Sequence, residues 1–188
     1  FGDRDLLRSL YLFDNFQLYG PELNHLNGLR SLGGFLYYFI YLLQQISSKI
    51  NHIFLFSLIF NIFSLCFFSL VVKKIFNLKI AIVTFFLICS SVPLFELLFR
   101  LWNPSFGFGF MLLSYSFLAL NFIKITRIYI ILLTLFGLIS FQFHSTYILP
   151  MICGYFFIFL NSRNRFKDTI YIFFSFILIF FVFFFHSI

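Results

Sequence analysis

The chain has 188 residues, of which 62% are hydrophobic and only 10% charged, and its mean hydropathy is +1.02. Soluble domains carry about 25% charged residues, so this composition excludes one and reads as a polytopic membrane protein. The formal net charge of +7 would suggest nucleic acid in a soluble chain. Here the basic residues sit in short connections between apolar runs, where membrane orientation accounts for them, and no nucleic-acid partner is expected.

The chain opens at Phe1 without a methionine and closes at Ile188 inside an apolar run. It is expected to be a piece of a longer protein, with at least one further span ahead of it. Four of the six acidic residues, Asp3, Asp5, Asp14 and Glu22, fall in the first 22 positions. Residues 5–19 place Leu6, Leu7, Leu10 and Phe13 at helical spacing with Arg8 and Asp14 elsewhere on the wheel, the pattern of an amphipathic helix lying in the interface. Gly20-Pro21 ends it, and residues 20–34, with Pro21, Gly28, Gly33 and Gly34 among Asn24, His25, Asn27 and Ser31, read as a loop. The run Phe35–Ile46 is too short to cross a bilayer comfortably and suits a second interfacial or re-entrant helix.

From residue 53 the sequence reads as about six transmembrane helices, at 53–72, 80–98, 107–122, 128–141, 146–160 and 170–188. Most approach the roughly 20 residues that a helix needs to cross a bilayer. The stretch 128–160 would overshoot as one helix, and the polar cluster Gln142, His144, Ser145 and Thr146 followed by Pro150 predicts a break near its middle. Cys66, Cys89 and Cys153 lie within expected spans without CxxC spacing, and read as small apolar fillers. The expected fold class is thus all-α, a transmembrane helical bundle preceded by a segment, residues 1–52, that carries juxtamembrane helices.

Alternate crossing divides the charges unequally. The connections 73–79, 124–127 and 161–169 hold eight basic residues against Asp168, a net +7, whereas the opposite side holds five basic and five acidic residues. The positive-inside bias therefore puts the first set in the cytoplasm and residues 1–52 outside, in a multi-pass protein of the cell (plasma or inner) membrane.

Few residues in this frame are able to carry chemistry. A carboxylate in Asp3-Arg4-Asp5 is suited to take a proton from a hydroxyl or to ligate a metal, and Arg4 would keep it ionised while offering a fork to phosphate. The plainer reading is a pair of solvated charges at a helix start. Arg100 follows Glu96 by one helical turn, so a local ion pair beside the interface anchor Trp102 competes with a role in holding an anionic headgroup. His144, between Gln142 and Ser145, is a substrate contact or a hydrogen-bonded structural residue. Ser57, Asn61 and Ser64 form a polar stripe on one face of the first full span, as helix packing requires. Walker, HExxH, GxSxG and Rossmann patterns do not occur, which counts against ATP-driven transport and soluble-type hydrolysis.

The order of these features resembles the GT-C superfamily of polyprenyl-phosphate-sugar-dependent glycosyltransferases, similar to the protein O-mannosyltransferase and aminoarabinose transferase families. The residues that carry the resemblance are Gly2-Asp3-Arg4-Asp5, Gly20-Pro21-Glu22 and the run from Gly28 through Gly33-Gly34-Phe35-Leu36-Tyr37-Tyr38, with Trp102-Asn103-Pro104-Ser105 and Gln142-Phe143-His144-Ser145 at later outer turns. The resemblance implies transfer of a sugar from a polyprenyl-phosphate carrier to an extracytoplasmic acceptor, with inversion at the anomeric carbon. It implies Asp3 as general base, with Asp5 as the alternate. Arg30 and Arg100 are the candidates to meet the leaving phosphate, and Arg4 or Arg8 are able to substitute. The chain departs from the family where Arg4 stands in place of a second acid and where Gly-Gly-Phe precedes the Leu-Tyr-Tyr helix. The implied partners are the lipid-linked sugar donor and membrane lipid. The acceptor is unassigned, no metal is assigned, and no cofactor beyond the donor is called for. A membrane polysaccharide polymerase and a lipid-linked glycan flippase or transporter stand as alternatives.

Overall fold

A computed structural model of the chain describes residues 19–22, 30–32, 35–46, 49–99, 103–143, 147–161 and 165–184. Its first described element departs from the loop expected over 20–34. Strands β1 (Tyr19–Glu22) and β2 (Arg30–Leu32) pair antiparallel, with Tyr19 opposite Leu32 and Glu22 opposite Arg30. The register slips between those two pairs. Pro21 lies in that interval and has no N–H to give the ladder, so a regular pair cannot form through it.

Every other regular element among the described residues is helical: α1 (Phe35–Ile46), α2 (Ile50–Ile75), α3 (Leu78–Ser90), α4 (Val92–Phe99), α5 (Asn103–Ile123), α6 (Arg127–Phe143), α7 (Ile148–Asn161) and α8 (Arg165–Phe184). Helix α2 has 26 residues, about 39 Å at 1.5 Å per residue, and ends with Lys73 and Lys74 in its last turn, where cations complement the helix dipole. After Phe76, the side chain of Asn77 accepts a hydrogen bond from the Ile80 N–H at 2.9 Å and so starts α3.

The span expected over 80–98 is broken in two at Ser91, which is extended at φ −72° and ψ 110°. Pro93 has no N–H to continue the α3 ladder, and it sits in the first turn of α4, where that missing N–H costs nothing. The Ser91 carbonyl takes up the Phe95 N–H at 2.8 Å, which restarts the helix as α4. The break expected between 128 and 160 is present too, since α6 ends at Phe143 and α7 begins at Ile148.

Side-chain pairings fix the helix directions. Phe60 meets Phe110 and Phe67 meets Phe117, so α2 and α5 run parallel. Helices α5 and α6 run antiparallel, since Ser114 donates to the Leu133 carbonyl at 3.1 Å while Phe106 stacks on Phe143. Tyr155 donates to Thr134 at 2.6 Å across the α6–α7 hairpin. Arg127, in the first turn of α6, lies 4.4 Å from the ring of Tyr171, in the second turn of α8, which sets the starts of the two helices side by side. The direction therefore alternates, with α3 and α4 as one leg. One end of the bundle collects the exposed Lys73, Lys74, Lys79, Lys124 and Arg127. The other end collects α1, the start of α5 and the end of α6.

The interior is apolar with a stripe of neutral polar side chains running through it, and the outer face is strongly apolar as well. Buried side chains include Ser57, Asn61, Ser64, Ser114, Ser116, Asn121, Thr134 and Gln142, while Leu55, Ile59, Phe63, Leu70, Phe86 and Phe173 face outward. The stripe Ser57, Asn61 and Ser64 read from sequence thus faces the helix interface. Asn51–Ile75 and Ser105–Ile123 are each long and apolar enough to cross a membrane, and 78–90, 127–143 and 151–161 form shorter apolar helices.

Helix α5 approaches α2 through Gly109, where an added Cβ would lie 2.6 Å from the Phe60 ring and 2.7 Å from Asn61 Oδ1. Helix propensity alone favours Gly→Ala in a helix interior by roughly 0.5–1 kcal/mol. At Gly109 the sign reverses: Gly109→Ala is expected to lower stability by about 1–3 kcal/mol through overpacking. Thermal unfolding in detergent measures this, and a variant as stable as the parent would refute the close α2–α5 contact.

Candidate functional site

The end of the bundle covered by α1 holds the most unusual chemistry in the described structure. It is built on Asn61. Asn61 Oδ1 accepts from the Gly109 N–H at 2.9 Å, and its Nδ2 donates to the Ser105 carbonyl at 2.9 Å. Ser105 and Gly109 are four apart on α5, the spacing at which an α-helix pairs its own carbonyl and amide. One side-chain amide therefore docks on both groups of a single helical turn. Its orientation is fixed, because the oxygen only accepts and the nitrogen only donates. Gly109 permits the approach, and Asn103 and Pro104 start α5 just ahead of it, with proline in the first turn where its missing N–H costs nothing.

Above this contact lies an aromatic cluster. Phe39 of α1 sits with its ring centroid 5.4 Å from Phe143, 5.9 Å from Phe110 and 6.0 Å from Phe106, each edge-on, while Phe110 stacks on Phe143 at 5.6 Å. Ile40 and Leu43 bury the rest of the inner face of α1 against Ile53, Ile139 and Phe143. Gly107 lets α5 close on this corner, since a Cβ there would meet Phe143 Cβ at 2.7 Å and the Tyr147 ring at 3.0 Å.

Two polar groups within this end have no partner. Gln142 is 0% exposed, and both its Oε1 and Nε2 lack a hydrogen bond; Ser105 is also 0% exposed, and its Oγ lacks one. Each directly precedes one ring of the Phe106–Phe143 stack, so the two residues lie at the same level of the bundle. A buried donor or acceptor left unmade costs about 1–3 kcal/mol. Tyr38, on α1, brings a second hydroxyl to this end, and burial pushes its phenol above the ordinary tyrosine value, keeping it a neutral donor. The site offers neutral amide and hydroxyl groups, able to donate and to accept, walled by aromatic rings.

Most residues singled out in the sequence lie outside the described structure. Asp3, Arg4, Asp5, Arg100 and His144 lie outside the described residues, as does the amphipathic helix expected over 5–19. Arg30 is placed by its backbone in β2, opposite Glu22, and β1 adjoins α1. The described neighbours of Arg100 and His144, at the end of α4, the start of α5 and the end of α6, lead toward the α1-covered end. Glu96, expected to pair with Arg100, is half-buried on α4. Sequence reasoning read Asn61 as a packing residue and did not single out Ser105 or Gln142 as buried hydrogen-bonding groups. The signal available was their type: an amide and a hydroxyl at the ends of strongly apolar helices, flanked by phenylalanines.

No family model, no curated protein and no solved structure matches this chain.

If the Gln142 amide is held for a ligand and not for the fold, the near-isosteric Gln142→Met will raise stability by roughly 1–3 kcal/mol, the cost of the unmade hydrogen bonds. Chemical unfolding in mixed micelles measures the shift. A loss of stability on this substitution would make Gln142 a structural residue.

Proposed function

We propose that the chain belongs to an integral-membrane glycosyltransferase that moves a sugar from a polyprenyl-phosphate carrier to an acceptor outside the cytoplasm. The membrane part of this reading is supported by the strongly apolar outer surface, rich in exposed leucine, isoleucine and phenylalanine, while serine, threonine, asparagine and glutamine lie buried between the helices. Lipid cannot satisfy polar groups, so they turn toward each other. Two apolar helices of crossing length and the alternation of helix direction fit six spans, with 1–52 on the side opposite the basic connections.

The observation that carries the transferase part is the neutral, unpartnered hydrogen-bonding pair Gln142 and Ser105 beneath α1. Sugar hydroxyls both donate and accept, as these groups do, and sugar faces pack on aromatic rings such as those of Phe39, Phe106 and Phe143. The buried polar residues described are all uncharged. An ion-coupled carrier would instead place ionisable side chains near the membrane midplane, so this favours a glycan substrate.

In the proposed reaction Asp3, or Asp5 in its place, takes the proton of the acceptor hydroxyl. The acceptor oxygen then bonds to the anomeric carbon with inversion as the bond from that carbon to the carrier phosphate breaks. The phosphate leaves with both electrons of that bond, and an arginine aimed at it stabilises the growing charge; Arg30, Arg100 and Arg4 are the candidates. His144 is assigned to substrate contact. Loss of a positioned base costs about 10²–10⁴-fold in rate. Transfer of radiolabelled sugar from polyprenyl phosphate, measured in membranes, is expected to fall by that factor in Asp3→Asn. Normal transfer in both Asp3→Asn and Asp5→Asn would remove the base assignment. The placement of residues 1–52 has its own test: a cysteine introduced by Asn24→Cys, with Cys66, Cys89 and Cys153 replaced, is expected to react with an impermeant maleimide on intact cells. Reaction only after lysis would invert the topology and end the transferase reading.

A further inference from the structure

At the other end of the molecule, the hairpin of α2 and α3 encloses a groove of about 430 Å³ that has no part in the site above. That volume lies within the roughly 300–1,000 Å³ of ligand-holding clefts. Its floor is Ala81, which is 3% exposed, and its walls are Leu70, Leu78, Ile82 and Phe86, all strongly exposed on the outer face of the helices. It runs about 12 Å, eight residues of α3 at 1.5 Å each, from Leu78 to Phe86. The groove is thus open sideways, long and apolar.

One end is different. Lys73 lines it there, and Lys74 and Lys79 flank the same turn, Phe76-Asn77, all three exposed. Three cations within seven residues at the mouth of an apolar channel match an amphiphile with a negative head and a hydrocarbon tail. Lysines at a helix end reach toward the headgroup layer, while the chain below them lies against the helix surface.

We propose that the α2–α3 groove holds one acyl chain of an anionic phospholipid from the leaflet that carries the basic loops, its phosphate met by Lys73, Lys74 and Lys79. This rests on the membrane reading and is independent of the sugar-transfer chemistry. Each lysine near an anionic headgroup is worth about 1 kcal/mol, or roughly fivefold in binding, so the three together favour anionic over zwitterionic lipid by up to about 100-fold.

The test uses the protein in bilayers, with the native indole removed by Trp102→Phe and a reporter introduced by Phe86→Trp. Quenching of its emission is compared between phosphatidylglycerol and phosphatidylcholine brominated in the acyl chains. Phosphatidylglycerol is expected to win by tenfold or more. The triple variant Lys73→Gln, Lys74→Gln, Lys79→Gln is expected to bring the ratio near one, and Ala81→Phe, which fills the groove, to do the same with the lysines intact. Lys124→Gln with Arg127→Gln, at the same end of the bundle but outside the groove, is expected to leave the ratio within about twofold, given the fivefold worth of a lysine that does contact the lipid. Equal quenching by the two lipids in the lysine-bearing protein overturns the proposal, as does an equal loss from the two sets of neutralising substitutions. Quenching by neither lipid overturns the membrane reading itself. A reporter introduced by Ile82→Trp repeats the comparison from the opposite wall should Phe86→Trp fail to fold.

Discussion

The contact on which this fold depends is the side-chain amide of Asn61 set between the Ser105 carbonyl and the Gly109 N–H. In an apolar solvent there is no hydrophobic force between helices, so association rests on close packing and on polar groups that find partners only across an interface. Asn61 supplies the polar part and Gly109 the closeness. The result locks the rotation and the axial register of α2 against α5. Since α6 also packs along α5, and α7 and α8 pack on α6, the remaining helices inherit that register. The polar residues farther along, Ser114 to the Leu133 carbonyl and Tyr155 to Thr134, repeat the device at successive interfaces.

Much of this was legible in the sequence, for a physical reason. Apolar runs of crossing length, basic short connections and the Ser57, Asn61, Ser64 stripe are all one-dimensional consequences of lipid as the solvent. The break near Gln142 to Thr146 was legible because polar residues and Pro150 interrupt an apolar run. The break at Ser91 was less so: Pro93 signals a bend, but whether a helix kinks or stops depends on whether a nearby carbonyl finds a new donor, here the Phe95 N–H. The strand pair at 19–22 and 30–32 was read as loop because Gly20, Pro21 and Gly28 are turn residues by propensity. Its pairing depends on contact between segments separated in the chain, which propensity does not encode.

The site was legible only in outline. Charge patterning separates the two ends of the molecule, yet it says nothing about which neutral side chains lie unpartnered inside. Gln142 looks in sequence like one member of a polar turn, and Ser105 like an ordinary residue of a helix start. Both lie at the level of the Phe106–Phe143 stack, on which Phe39 of α1 packs edge-on, a proximity that only the folded chain displays. A twelve-residue helix, shorter than a bilayer span, thus packs over the end of the bundle that holds them.

The two ends of the bundle divide the physical tasks. At the basic end the groups are exposed cations beside an apolar groove, a combination that binds charge at a surface and responds to lipid composition and ionic strength. At the α1 end the groups are neutral and buried, so their interactions are strong, directional and insensitive to salt. Neutral donors and acceptors in a low-dielectric site also cost far less to leave empty than buried charges would, about 1–3 kcal/mol per unmade hydrogen bond against several for an unpaired ion. For the proposed sugar transfer, glutamine and serine inside suit a hydroxyl-rich group that is bound only part of the time.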